Sequence, residues 1–170
     1  MALLRPDRYL PRLTCLDVER DIRQAGYTHL LLDVDNTVLP RDADDIPEDV
    51  LAWIEGAKAA GLPICLISND WHDHVTAVAE RLGLPLVRGC VKPLPFAFAA
   101  ARRRIGAPRA KTLVIGDQLV SDVWGARLSG LAVFLVEPLS SADLWHTLAL
   151  RHIERGILRG IQPEREEHHG

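Results

Sequence analysis

The sequence predicts an α/β fold: a three-layer, Rossmann-like arrangement with a central parallel sheet of about five strands and helices on both faces. Two observations carry this. Short apolar runs of strand length, several rich in β-branched residues, recur along the chain, as expected of strands buried on both sides. Between them stand segments with apolar residues at helical spacing, most of them closed by a glycine. Such alternation favours parallel strands joined by helical crossovers.

Taken in order, the first strand is THLLLDV (28–34). The helix PEDVLAWIEGAKAAG follows, opening on Pro47 with acids at its positive end and stopping at Gly61. LPICLIS (62–68) is the second strand, and DHVTAVAERLG then sets Val75, Val78, Ala79 and Leu82 on one helical face. A weaker strand, LPLVRG (84–89), precedes the helix PFAFAAARRRIG. TLVIGD (112–117), the helix VSDVWGARLSG and the strand LAVFLVE (131–137) complete the pattern, with a last helix expected over roughly 141 to 159.

A length of 170 residues suits one domain, expected over 1–160, followed by a polar, disordered tail over 161–170. The formal net charge of −3 argues against bulk electrostatic binding of nucleic acid, and no nucleic-acid partner is expected. Cys15, Cys65 and Cys90 are odd in number and lack CxxC spacing, which fits a reducing cytoplasm better than a disulfide framework. The N-terminus MALLRPDRYLPRL is too broken by charge and proline for a signal peptide. No apolar run approaches the roughly 18 residues that cross a bilayer, so membrane contact is expected only from the surface.

Sheets of this kind bind ligands beyond the carboxyl ends of their strands, near the point where strand order reverses. The polar residues that follow the apolar runs should therefore meet. They are Asp33, Asp35, Asn36 and Thr37; Ser68, Asn69 and Asp70; Lys92; and Gly116, Asp117, Gln118 and Asp122. Singly, each has an ordinary reading. Asp33 and Asp35 suit an Asx-rich turn, Ser68-Asn69 a helix N-cap, Lys92 a surface lysine, and Asp122 a cap for VWGARL. Together they make a kit for phosphoryl transfer. A Mg²⁺ ion takes a few oxygen ligands besides water and phosphate, and Asp33 and Asp117 are placed to share one. Asp33 can attack phosphorus as a carboxylate nucleophile. Asp35 can protonate the leaving oxygen and later activate water. Ser68 can hold phosphoryl oxygens whose charge Lys92 offsets.

DVDNT, ISN, the lysine of VKP and GDQLVSD, in this order and each at a strand end, resemble the four motifs of the haloacid dehalogenase (HAD) superfamily of phosphohydrolases. More narrowly, with LRPDRYLPRL before them and RHIERGILRG after, they resemble the YqeG-like, phosphatidylglycerophosphate phosphatase-like branch of subfamily IIIA. The resemblance implies the strand order 5-4-1-2-3. It implies Asp33 as nucleophile and metal ligand, and Asp35 as acid/base that also lends the metal its backbone carbonyl. Ser68, with Asn69 nearby, would bind phosphate. Lys92 would stabilise the phosphoryl group and Asp117 would ligate Mg²⁺. Asp122 would orient the metal shell or Lys92, with Thr37 in support. Asn36 stands where many relatives carry glycine.

His72 and His74 lack a matching ligand pair in the sequence and read as exposed helix-start residues. Trp71 lines the substrate mouth or simply packs; both readings stand. Arg102, Arg103 and Arg104 read as a solvated face. Arg151, Arg155 and Arg159 fit either a basic helix lying on an anionic membrane or the charged outer face of a docked helix. No stretch is long enough for a cap domain, either between Thr37 and Pro47 or between Asn69 and Lys92. An open site suits a bulky phosphomonoester such as phosphatidylglycerophosphate, a phospholipid head group. The alternatives are a soluble sugar- or nucleotide-phosphate phosphatase completed by oligomerisation, and a regulatory binding protein that keeps the fold without turnover.

Overall fold

All five expected strands form, and they run parallel in one sheet: β2 (His29–Asp33), β3 (Ile64–Ile67), β4 (Leu86–Val87), β5 (Thr112–Gly116) and β6 (Ala132–Val136). The structure is a computed structural model that describes residues 2–141, 156–157 and 161–164. A sixth strand, β1 (Arg8–Leu10), is added at the N-terminal side, so the full order is β1-β6-β5-β2-β3-β4. The five expected strands keep the order 5-4-1-2-3; the added one pairs parallel with β6, Tyr9 opposite Leu135.

Successive side chains of a strand point to opposite faces, and the core divides accordingly. Leu30, Leu32, Leu113 and Ile115 pack on one face with Val50 and Ile54 of helix α1 (Glu48–Ala59) and Val75 and Leu82 of α2 (Asp73–Leu82). Leu31, Val114, Ile67 and Val133 pack on the other with Ala97, Phe98 and Ala101 of α3 (Pro95–Arg104) and Ala126 of α4 (Gly125–Leu128). Each fully buried leucine contributes roughly 1.5–3 kcal/mol by leaving water. The helical stretch expected at VSDVWGARLSG forms in two parts, a π-helical turn over Leu119–Trp124 running into α4. A second π-helical turn, Val18–Arg23, was not anticipated.

The crossovers place α1 and α2 on one face and α3 and α4 on the other, so the sheet is doubly wound. Its switch point lies between β2 and β5, which are direct neighbours. No inserted domain follows β2, where residues 34–47 form a loop, nor β3, where only α2 and β4 precede Lys92. The expected last helix with Arg151, Arg155 and Arg159 lies outside the described residues. Of the tail 161–170, Glu164 is described: its backbone N–H donates to Tyr9 O at 2.8 Å and its carboxylate pairs with Arg8. Among the described residues no helix is long and apolar enough to cross a membrane.

Candidate active site

β2 ends at Asp33 and β5 at Gly116, so the switch point brings Asp33 and Asp117 to the same end of the sheet. Carboxylate oxygens of Asp33, Asp117 and Asp122 lie within 4.8 Å of one another. All three are buried. Lys92, reaching in from the loop after β4, donates from Nζ to Asp33 Oδ1 at 2.5 Å and to Asp122 Oδ1 at 2.6 Å. The surface-lysine reading of Lys92 is thereby removed: its side chain is 2% exposed. Burial first, then the charges of Asp122, Asp117 and Asp35, push the Asp33 carboxyl well above the usual carboxylate range, against the pull of Lys92. Burial would lower the Lys92 ammonium, yet Asp122 and Asp33 win and hold it well above its ordinary value.

Gly116 explains how Asp122 comes so close. A Cβ at that position would stand 2.3 Å from the Asp122 carboxyl carbon. Asp122 is itself locked, accepting from Lys92 through one oxygen and from the Gln118 N–H at 3.1 Å through the other. It therefore orients Lys92 and pins its own π-helical turn to the strand end.

Asp35 occupies different surroundings. Its side chain is 20% exposed, accepts from Ser68 Oγ at 3.1 Å and lies 3.7 Å from His74 Nε2. The turn that carries it depends on Asn36, whose φ of 59° is left-handed, a region asparagine tolerates better than most residues. Asn36 also accepts from the Arg41 N–H through Oδ1 (3.2 Å), which closes the loop on itself. The hydroxyl of neighbouring Thr37 is buried and has no hydrogen-bond partner among the described residues.

Ser68 is fully buried and does not cap α2, contrary to the N-cap reading; the helix begins at Asp73 with His72 as N-cap. The Ser68 hydroxyl is spent locally, accepting from the Asp70 N–H at 3.0 Å while donating to Asp35. Asn69 grips the backbone of Lys92 from both ends of its amide, accepting from Lys92 N at 2.7 Å and donating to Lys92 O at 3.3 Å. That fastens the lysine loop to the end of β3. His72 is exposed, as expected, and hydrogen-bonded to Asp70. His74, also exposed at the start of α2 as expected, has its Nε2 3.5 Å from Asp70. Trp71 is 73% exposed, and its ring occupies the space a side chain at Gly89 would need.

A buried carboxylate under a lysine, beside a more accessible second carboxylate that accepts from a serine hydroxyl, suits phosphate ester chemistry. Comparison with known proteins agrees. Residues 7–130 match the haloacid dehalogenase-like hydrolase family. The chain is 29% identical over 157 residues to the Bacillus subtilis protein named "Probable phosphatase YqeG", covering 92% of this chain and 91% of that one. It is 26% identical to the chloroplastic phosphatidylglycerophosphate phosphatase 1 of Chlamydomonas reinhardtii, covering 85% of this chain and 59% of the relative. The fold superposes on a solved HAD phosphatase from Thermococcus onnurineus with a TM-score of 0.57, at 14% identity, over 76% of this chain and 98% of the other. The chain therefore belongs to the haloacid dehalogenase-like hydrolases, as a phosphatase similar to YqeG.

Proposed function

We propose that the protein is a Mg²⁺-dependent phosphomonoester hydrolase that works through an aspartyl-phosphate on Asp33, with phosphatidylglycerophosphate or a similarly bulky ester as substrate. The observation that carries this is the buried cluster of Asp33, Asp117, Asp122 and Lys92 beside the more open Asp35. Three carboxylates face one ammonium, which leaves negative charge in excess; burial first, and then the charges of Asp122, Asp117 and Asp35, push the Asp33 carboxyl upward. Hard oxygen donors with excess negative charge fit a divalent ion of the Mg²⁺ class. Asp33, Asp117 and the Asp35 carbonyl would hold it; when bound it supplies the charge that lets a carboxylate approach a phosphate.

Asp33 attacks phosphorus, and its bond to phosphorus forms as the ester oxygen departs. Asp35 gives that oxygen its proton, then takes one from the water that hydrolyses the aspartyl-phosphate. Lys92, held by Asp122 below and Asn69 behind, faces the phosphoryl oxygens. Thr37, with a buried hydroxyl lacking a partner among the described residues, has a donor in reserve for one of them. Ser68 steadies Asp35. The bulky-substrate reading draws support from the missing cap insertions and from the name of the algal relative.

The test is a substrate panel that sets micellar phosphatidylglycerophosphate against soluble sugar and nucleotide phosphates, with Mg²⁺ and after chelation. Preference for the lipid, lost with chelation and restored by Mg²⁺, is expected; preference for a soluble ester overturns the lipid assignment. Asp33→Asn should lower turnover by about 10³-fold or more, and retained activity would overturn the nucleophile.

A further inference from the structure

We infer that the cavity beside Asp35 receives the leaving alcohol, and that Arg41 selects an alcohol carrying its own anionic group, as a phosphodiester does. The inference rests on the reading of Asp35 as the acid that protonates the leaving oxygen. As the bond from phosphorus to the ester oxygen breaks and the bond to Asp33 forms, the alkoxide takes the Asp35 proton. The alcohol must then lie on the Asp35 side of the site.

That side holds a cavity of about 580 Å³, opening between the loop after β2 and α2. Asp35 is the one proposed catalytic side chain among the residues that line it. Leu39, Ile46 and Val78 supply apolar wall for a carbon skeleton. The His74 imidazole, set between Asp70 and Asp35, is the one aromatic ring among the described residues that line it.

The charged groups in the wall are mostly engaged with one another. Arg81 is bound to Asp45 at 2.6 Å. His74 lies between Asp70 and Asp35, at 3.5 and 3.7 Å. Asp44 is exposed at the rim. Arg41 differs. It is half-buried, its Nε is buried with no acceptor, and it has no carboxylate partner among the described residues. Its backbone is fixed by the bond to Asn36, so the guanidinium is offered from a set point on the loop that follows the catalytic acids. A buried donor left unspent is unfavourable unless an acceptor arrives. The guanidinium fork matches the paired oxygens of a phosphate diester, bidentate and charge-assisted.

The experiment compares two soluble esters, so that no membrane enters: glycerol 3-phosphate, whose alcohol is neutral, and glycerophosphoglycerol phosphate, whose alcohol carries a phosphodiester. The wild type should favour the second in kcat/KM. Arg41→Ala should lower that preference about 10- to 100-fold, mainly through KM, with Arg41→Lys between the two. Arg109→Ala, which removes an arginine from the opposite side of the molecule beside Leu128 and Ser129, should leave the preference as it was. An Arg41→Ala enzyme with the wild-type preference overturns the role of Arg41 while leaving the phosphatase intact. Calorimetric titration with glycerophosphoglycerol, which has no phosphomonoester, separates the two readings. Weaker binding by Arg41→Ala supports the cavity assignment even if neither ester is turned over, in which case the hydrolase reading is what fails.

Discussion

Asp33 and Asp35 are two positions apart and live in opposite surroundings. Asp33 closes β2 whereas Asp35 lies past the strand end, beside the left-handed turn at Asn36, so Asp33 enters a buried cluster with Lys92 and Asp35 an accessible edge shared with Ser68 and His74. Their chemical roles diverge for that reason, since the same side chain is tuned by burial and neighbours. Burial, with the charges of Asp122, Asp117 and Asp35, disfavours the charged form of Asp33 against the pull of Lys92. Asp33→Asn should accordingly melt at or above the wild-type temperature without metal, and gain less from added Mg²⁺ than the wild type does. Differential scanning fluorimetry with and without Mg²⁺ reads both outcomes. Asn36 tests the turn itself. Asn36→Ala must hold a left-handed φ and loses the bond to Arg41, and should cost about 1–2 kcal/mol in urea unfolding. Asn36→Gly restores the backbone freedom and should recover part of that loss.

Among the elements, the helix at VSDVWGARLSG was foreseeable but its π-helical opening over Leu119–Trp124 was not, because its apolar spacing also fits an ordinary helix. The extra residue in its turn accompanies the approach of Asp122 to β5, which the missing side chain at Gly116 permits. Gly116→Ala should therefore destabilise by about 2 kcal/mol or more, since Asp122 is tied to Lys92 and Gln118 and has nowhere to turn. It should also depress kcat by displacing Lys92; wild-type stability and turnover together would contradict this account of the glycine. β1 was missed for a simpler reason. RYL is three residues, one of them charged, and only the open edge of β6 makes it a strand.

At the level of the whole molecule, that edge is held by charge. Arg8 of β1 pairs with Asp21 at 3.0 Å and also with Glu164, tying the first strand to the Val18–Arg23 turn and to the segment after residue 160. Burial alone would raise the Asp21 carboxyl, but Arg20, the Asp17 N–H and Arg8 hold it down to about 2. Its folded value lies below its unfolded one, so its contribution is present above about pH 4 and is lost as the pH falls toward 2. That contribution is about 2 kcal/mol. Urea unfolding at pH 6 and at pH 2.5 should show a wild-type advantage over Asp21→Asn that shrinks at the lower pH. The parallel sheet covered on both faces and the end at which the acids gather were readable from apolar runs, because burial on two faces writes itself directly into composition; the order of the five main strands came only with the resemblance to the HAD superfamily. The cast of polar residues at the strand ends was readable too, because phosphoryl transfer demands those types. What waited for the folded chain was who touches whom: that Asn69 serves Lys92, that Ser68 leaves α2 uncapped and supports Asp35, that His74 reaches the acids, and that Arg41 stands unspent at a cavity. These contacts join residues distant in sequence through side-chain geometry, and no periodicity of the chain encodes a distance across space.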